Sequence, residues 1–187
     1  MNTSRLTLRE MKITDCDDMY EYSRLGEVTK FLLWREHPDV AYTRRLLKHI
    51  RRSYREFSNY DWAIIYNGTG ADDPLGKYRG RMIGTCGFAS IDDENRVGEL
   101  GYVLNPALRG NGIAAEAARA VMNYGFCELG LNRIEAKYII GNDASLRVME
   151  KLGMKYEGMM RSSMLIKGVF RDIGVCAILK DEFKYKP

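Results

Sequence analysis

Residues 105–119 read NPALRGNGIAAEAAR. A proline leads into a short loop with one arginine and two glycines, and the loop runs into a stretch rich in alanine. The alanines predict a helix from about Gly112 to Leu129, because alanine loses no side-chain entropy on entering one. A loop that feeds a helix N-terminus presents backbone N–H groups without partners and the positive end of the helix dipole. Both suit an anion. Gly110 and Gly112 let the backbone approach a bulky anion with no Cβ in the way, and Arg109 adds a charged donor. The plain alternative is a tight strand-to-helix turn with an exposed arginine.

Two well-known phosphate loops compete for this reading. A P-loop needs G-x-x-x-x-G-K-[S/T], and the chain has no such string. Residues 110–115, GNGIAA, do match the dinucleotide fingerprint G-x-G-x-x-A. That site, however, wants its first glycine directly after a strand and an acid about 20 positions on, at the end of the next strand. Here NPALR intervenes, and the available acid, Glu135, stands early in its strand. The dinucleotide match is therefore partial.

Working outward, residues 96–104 (RVGELGYVL) and 81–91 (RMIGTCGFASI) read as strands joined by the turn DDEN, with Pro106 stopping the later one. YDWAIIY, 60–66, is another strand, followed by a long Gly- and Asp-rich turn over 67–80. Downstream, RIEAKYII, 133–140, is a strand, and Asn142 opens a short helix that ends at Lys151-Leu152-Gly153. The segments 154–168 and 169–181 form a hairpin that turns near Gly168. Upstream, RLTLRE, 5–10, alternates as a half-buried strand does. Thr14-Asp15-Cys16-Asp17 resembles a capping box and predicts a helix to about Leu25. FLLWREHPD, 31–39, is a loop carrying Trp34. Over 42–57, Leu46, Leu47, Ile50, Tyr54 and Phe57 share one helical face, and Arg44, Arg45, Lys48, Arg51, Arg52 and Arg55 the other. The order β–α–α–β–β–β–α–β–α–β–β predicts a mixed α/β sheet with helices on both faces, in one domain over 1–187.

Composition narrows the function. The 187 residues are 45% hydrophobic and 29% charged, as in ordinary globular proteins, and the formal charge is only +4. That is too little basicity for a dedicated nucleic-acid binder, so no DNA partner is expected. The four cysteines form no C-x-x-C pair, and the two histidines have no clustered cysteine partners, so no metal site is expected. No secretory signal and no apolar run of membrane-spanning length is visible, which points to the cytoplasm.

The motifs then combine. Arg109-Gly110-Asn111-Gly112-Ile113-Ala114 resembles the R/Q-x-x-G-x-G/A signature of the GCN5-related N-acetyltransferases, and the strand ELGYVLNP precedes it as in that family. Residues 142–154, N-x-x-S-x-x-x-x-x-K-L-G-M, resemble the family's second motif. RLTLREMKITDCDDMY and EVTKFLLW resemble the branch that acetylates the N-termini of ribosomal proteins. The resemblance implies the family's fold, with a mostly antiparallel sheet splayed between the fourth and fifth strands. It also implies acetyl-CoA as cofactor, an amine acceptor such as a protein N-terminus, and relatives that are often homodimers.

By that resemblance, Arg109, Gly110, Asn111, Gly112, Ile113 and Ala114 cradle the pyrophosphate. Tyr102, Val103 and Leu104 pair through their backbone with the pantetheine arm, and an N–H of Val103 or Leu104 polarises the thioester carbonyl. Asn142 contacts the arm, although an N-cap alone explains an asparagine there. Many relatives place a tyrosine acid seven residues after that asparagine, where this chain has Met149. Ser145 is the remaining proton donor at this site; its other reading is a hydroxyl that supports the helix cap. Glu99 reads as a base or as a solvated strand glutamate. Trp34 either lines the acceptor entrance or packs in its loop. The basic face of the 42–57 helix either meets ribosomal RNA or an acidic partner, or is simply solvated. A small amine such as a polyamine or an antibiotic is the competing acceptor, and a regulatory acyl-CoA-binding module without turnover is the competing class.

Overall fold

The computed structural model describes residues 1–56, 59–68 and 73–184. Phe57 and part of the 67–80 turn lie outside the described residues. The strands are β1 (Leu6–Arg9), β2 (Tyr60–Tyr66), β3 (Met82–Asp92), β4 (Val97–Leu104), β5 (Arg133–Ile139), β6 (Lys155–Ile166) and β7 (Val169–Leu179). The helices are α1 (Cys16–Ser23), α2 (Gly26–Thr29), α3 (Val40–Arg55), α4 (Ile113–Cys127) and α5 (Asp143–Lys151).

The strands form one sheet in the order β1-β2-β3-β4-β5-β7-β6. Every neighbouring pair is antiparallel except β4 and β5. That exception creates the main feature of the molecule. β4 pairs with β3 as far as Leu104, but with β5 only over Val97–Glu99 against Arg133–Glu135. Beyond Glu99 the two strands part, so the expected splay is present and Leu100–Leu104 has no β5 partner.

Alternation along the strands sends side chains to two cores. Ile64, Ile83, Cys86 and Leu100 pack with Ala117, Val121 and Met122 of α4 on one face. Ala63, Ile65 and Met82 meet Met19 and Tyr22 of α1 and Leu47 of α3 on the other. Helices therefore cover both faces. Each fully buried large apolar side chain contributes roughly 1.5–3 kcal/mol, which fixes the strand register between the two layers.

Two local expectations are corrected. Thr14 does not cap α1: the chain enters through a 3₁₀ turn, Ile13–Asp15, and the Asp15 carboxylate accepts the Lys12 N–H at 2.7 Å and pairs with Arg9. The stretch after Leu25 contains the short helix α2, whose single turn is too brief to show a period in sequence. The segment after α2 crosses toward the last hairpin. The Lys167 ammonium donates to the Thr29 carbonyl at 2.7 Å, and Phe31 packs against Ile139, Ile166 and Ile173. Among the described residues no helix is long and apolar enough to cross a membrane.

Candidate active site

The loop between β4 and α4 is held by its own side chains. Asn105 accepts the Ala107 N–H at 3.1 Å and donates to Glu21 at 3.1 Å. Asn111 donates to the carbonyls of Leu108 and Arg109, at 3.2 and 3.0 Å. Gly110 and Gly112 have φ of +83° and +75°, a left-handed region that side-chain-bearing residues rarely adopt. The backbone N–H groups from Gly110 through Ala114 take no partner among the described residues. A Cβ on Gly110 would meet no atom within 4 Å, so the space in front of the loop is open. The result is a concave run of free N–H groups at the positive end of α4, a site for an anion. Arg109 spans from this loop to Glu27 of α2, 3.3 Å away on the surface; an anion in the cradle would compete with that carboxylate.

Tyr102, Val103 and Leu104 occupy the part of β4 with no β5 partner, so one side of the strand is open to a ligand's polar groups. Asn142 is the N-cap of α5, and its side chain accepts the Ser145 N–H at 3.3 Å. The Ser145 hydroxyl serves another purpose. It lies 2.9 Å from the Tyr102 hydroxyl, which also donates to the Ser145 carbonyl at 3.1 Å. Burial raises the Tyr102 phenol above its ordinary pKa, so it stays protonated. The position where relatives carry a tyrosine, Met149, is packed in the core. Sequence reasoning used only the backbone of Tyr102 and missed its side chain. The signal available was parity: Tyr102 alternates with Glu99 and Val103 and so points to the α4 and α5 side.

Glu99 stands at the vertex of the splay, in the last β4–β5 pair and on the opposite face. It is neither free nor merely solvated: the Lys137 ammonium lies 2.6 Å away and is also 3.3 Å from Glu135. The bond to Glu99 holds the Lys137 pKa above its ordinary value. Lys137 and the chain Arg133–Glu135–Glu157 behind it were not anticipated. Trp34 is half-buried beside the α1 and α3 core, its ring 5.2 Å from that of His37. The packed reading of Trp34 is thus the one its contacts describe.

An anion cradle at one end of an open strand edge, and a hydroxyl pair beside that edge, suit an elongated ligand. Such a ligand would carry phosphate at its head and amide groups along an arm. Comparison with known proteins agrees. The family model of the GNAT acetyltransferase domain matches residues 5–155. An uncharacterised N-acetyltransferase, p20, of Bacillus licheniformis is 35% identical over 181 residues, covering 97% of this chain and 96% of its own. The putative ribosomal N-acetyltransferase YdaF of Bacillus subtilis is 28% identical over 186 residues, covering 96% and 93%. A GNAT-family acetyltransferase structure from Bacillus anthracis superposes with a TM-score of 0.81 at 27% identity, covering 97% and 99%. The chain belongs to the GCN5-related N-acetyltransferase family and is an acetyl-CoA-dependent N-acetyltransferase.

Proposed function

We propose that the acceptor is a protein N-terminal α-amine of the ribosomal-protein type, acetylated by direct attack in a ternary complex in the cytoplasm. The observation that supports the transfer step is the Ser145–Tyr102 hydroxyl pair, 2.9 Å apart, beside the open edge of β4. YdaF, similar along nearly the whole chain, lends its putative ribosomal activity as support for the acceptor class.

The residues present fit acetyl-CoA: the cradle needs glycine backbone at 110 and 112, and its N–H groups are free. When bound, acetyl-CoA supplies an acetyl group activated as a thioester. The N–H groups of Gly110–Ala114 and the Arg109 guanidinium hold the pyrophosphate. The free edge at Tyr102–Leu104, with Asn142, pairs the arm and fixes its reach. An N–H of Val103 or Leu104 polarises the thioester carbonyl, an arrangement that favours the charge which develops there. Ser145 would supply a proton to the thiolate leaving group and be resupplied through the Tyr102 hydroxyl. Glu99 lies on the other face of β4, so the incoming amine and the outgoing thiol have separate sides. A carboxylate can relieve an α-amine, pKa about 7.7–8.0, of its proton through water far more readily than a lysine amine at about 10.4.

The test is a thiol-release assay against N-terminal peptides, polyamines and aminoglycosides side by side. Highest kcat/KM on N-terminal peptides is expected. Preference for a small amine would overturn the acceptor, and CoA binding without thiol release from any amine would make the protein a regulatory module.

A further inference from the structure

Glu99 and Glu135 lie on the face of the sheet opposite α4, and both are close to the Lys137 ammonium. Asp61 of β2 has no ion pair among the described residues. Registers place it there: Asp61 pairs with Gly87 of β3, and Gly87 with Gly101 of β4, so all three share the face that carries Glu99 and Val103. Between Asp61 and the open edge of β4 the row thus contains no side chain. The nearest atom to a Cβ built on Gly101 would be the Ala89 Cβ at 4.0 Å, so the floor is clear there. A Cβ on Gly87 would collide with the backbone of Tyr60 and Asp61, at 2.2 and 2.3 Å, so the close approach of the two strands requires glycine.

The far end of the row is deep in the protein. Burial pushes the Asp61 carboxyl up to about 7, yet the residue keeps partial exposure to solvent. Tyr54 of α3 donates its hydroxyl to the Asp61 carbonyl. The Tyr22 hydroxyl of α1 is fully buried and has no hydrogen-bond partner among the described residues, and Asp61 acts on it electrostatically more than Asp15 or Asp18 does. The uncompensated Asp61 carboxyl stands at the end of a row without side chains, and the orphan Tyr22 hydroxyl can accept as well as donate, so one cationic donor would satisfy both.

We propose that Asp61 receives a second cationic nitrogen of the acceptor, about 10 Å from the β4 edge where the reacting amine sits, two inter-strand spacings away. The proposal rests on the reading of that edge as the place of transfer. The chemistry required is a dication: an N-terminal peptide with a basic side chain in its first two residues, or a small diamine. The bound ammonium donates to the ionised Asp61 carboxylate and to the Tyr22 oxygen, and no bond is made or broken there.

Two measurements test it. In thiol release, Ala-Lys peptides are compared with Ala-Gln peptides, and 1,7-diaminoheptane, which is long enough to span the row, with heptylamine, on wild type and Asp61→Asn. Wild type should favour the dicationic member of at least one pair by about tenfold or more in KM, and Asp61→Asn should lose that preference while keeping its rate on the monocation. Which pair responds identifies the source of the cation. In calorimetry, CoA-loaded wild type should bind the same dications and Asp61→Asn should not, with CoA affinity equal in both. Gly101→Val, which fills the row and leaves Asp61 in place, should also lose dication binding. Equal dication affinity in wild type and both variants overturns the proposal. Dication binding that depends on Asp61, without thiol release, would uphold the site and overturn the transfer reading instead.

Discussion

At the scale of single residues, the pairing of Ser145 with Tyr102 has a measurable consequence. Ser145→Ala removes the proposed proton donor and leaves the Asn142 cap intact, so kcat should fall by about 10²-fold while acetyl-CoA affinity changes little. Tyr102→Phe should lower kcat less, because Ser145 can still be resupplied by water. Steady-state rates and isothermal titration with CoA check both, and unchanged turnover in Ser145→Ala would move the proton donor elsewhere. Asp61 carries a pH signature of its own. Its folded pKa, about 7, lies above the unfolded value near 3.9, so the folded state holds the proton more tightly. The stability tied to that proton is fully present below pH 4 and is lost as pH rises through 7. Asp61→Asn should therefore be more stable than wild type at pH 8, by roughly 1–3 kcal/mol, with the gap closing at pH 4. Urea melts at the two pH values check the sign.

At the scale of elements, the β4–α4 loop is the part most specified by its letters. Arg109-Gly110-Asn111-Gly112 is legible because only glycine takes φ near +80° cheaply, so the two glycines in sequence already state the backbone path. Gly112→Asp puts a Cβ in that conformation and a negative charge at the positive end of α4. CoA affinity should drop by at least about tenfold, read by calorimetry; unchanged affinity would remove the loop from the cofactor site. The strands were legible because runs rich in aromatic and β-branched residues, such as YDWAIIY and RIEAKYII, stand between turn signals. What escaped is what depends on partners distant in sequence. Lys137 neutralises Glu99 across a parallel pair, and Tyr102 meets Ser145 across the splay; neither contact leaves a local pattern. Nothing in YDWAIIY singles out Asp61, and only the register with Gly87 and Gly101 reveals its setting. α2 was missed because one helical turn carries no periodicity.

At the scale of the whole molecule, the sheet is two groups of strands joined by the three residue pairs between β4 and β5. A ligand laid along the open edge touches β4 and α4 from one group and α5 from the other, so it should stiffen the chain as a unit. At a hundred times its Kd, CoA should stabilise the fold by about 2.7 kcal/mol, which at this chain length corresponds to a rise in Tm of roughly 5–11 °C. Differential scanning calorimetry measures it, and no shift at saturating CoA would mean that the folded state does not hold the cofactor.

The parting of β4 from β5 has one more consequence, for how the protein lives among other polypeptides. An unpaired strand edge normally recruits foreign strands and seeds aggregates. This one lies inside the sheet, with α4 packed on one face and, on the other, the α1–α3 core against which Val103, Leu32 and Trp34 pack. A foreign strand entering it would have to place alternate side chains against the Tyr102–Ser145 pair and against Val103. A slender arm with amide groups and no side chains meets neither obstacle. On the proposed reading the same gap admits an arm without side chains and turns away a strand that carries them, a selectivity set by the side chains on both faces rather than by any single contact.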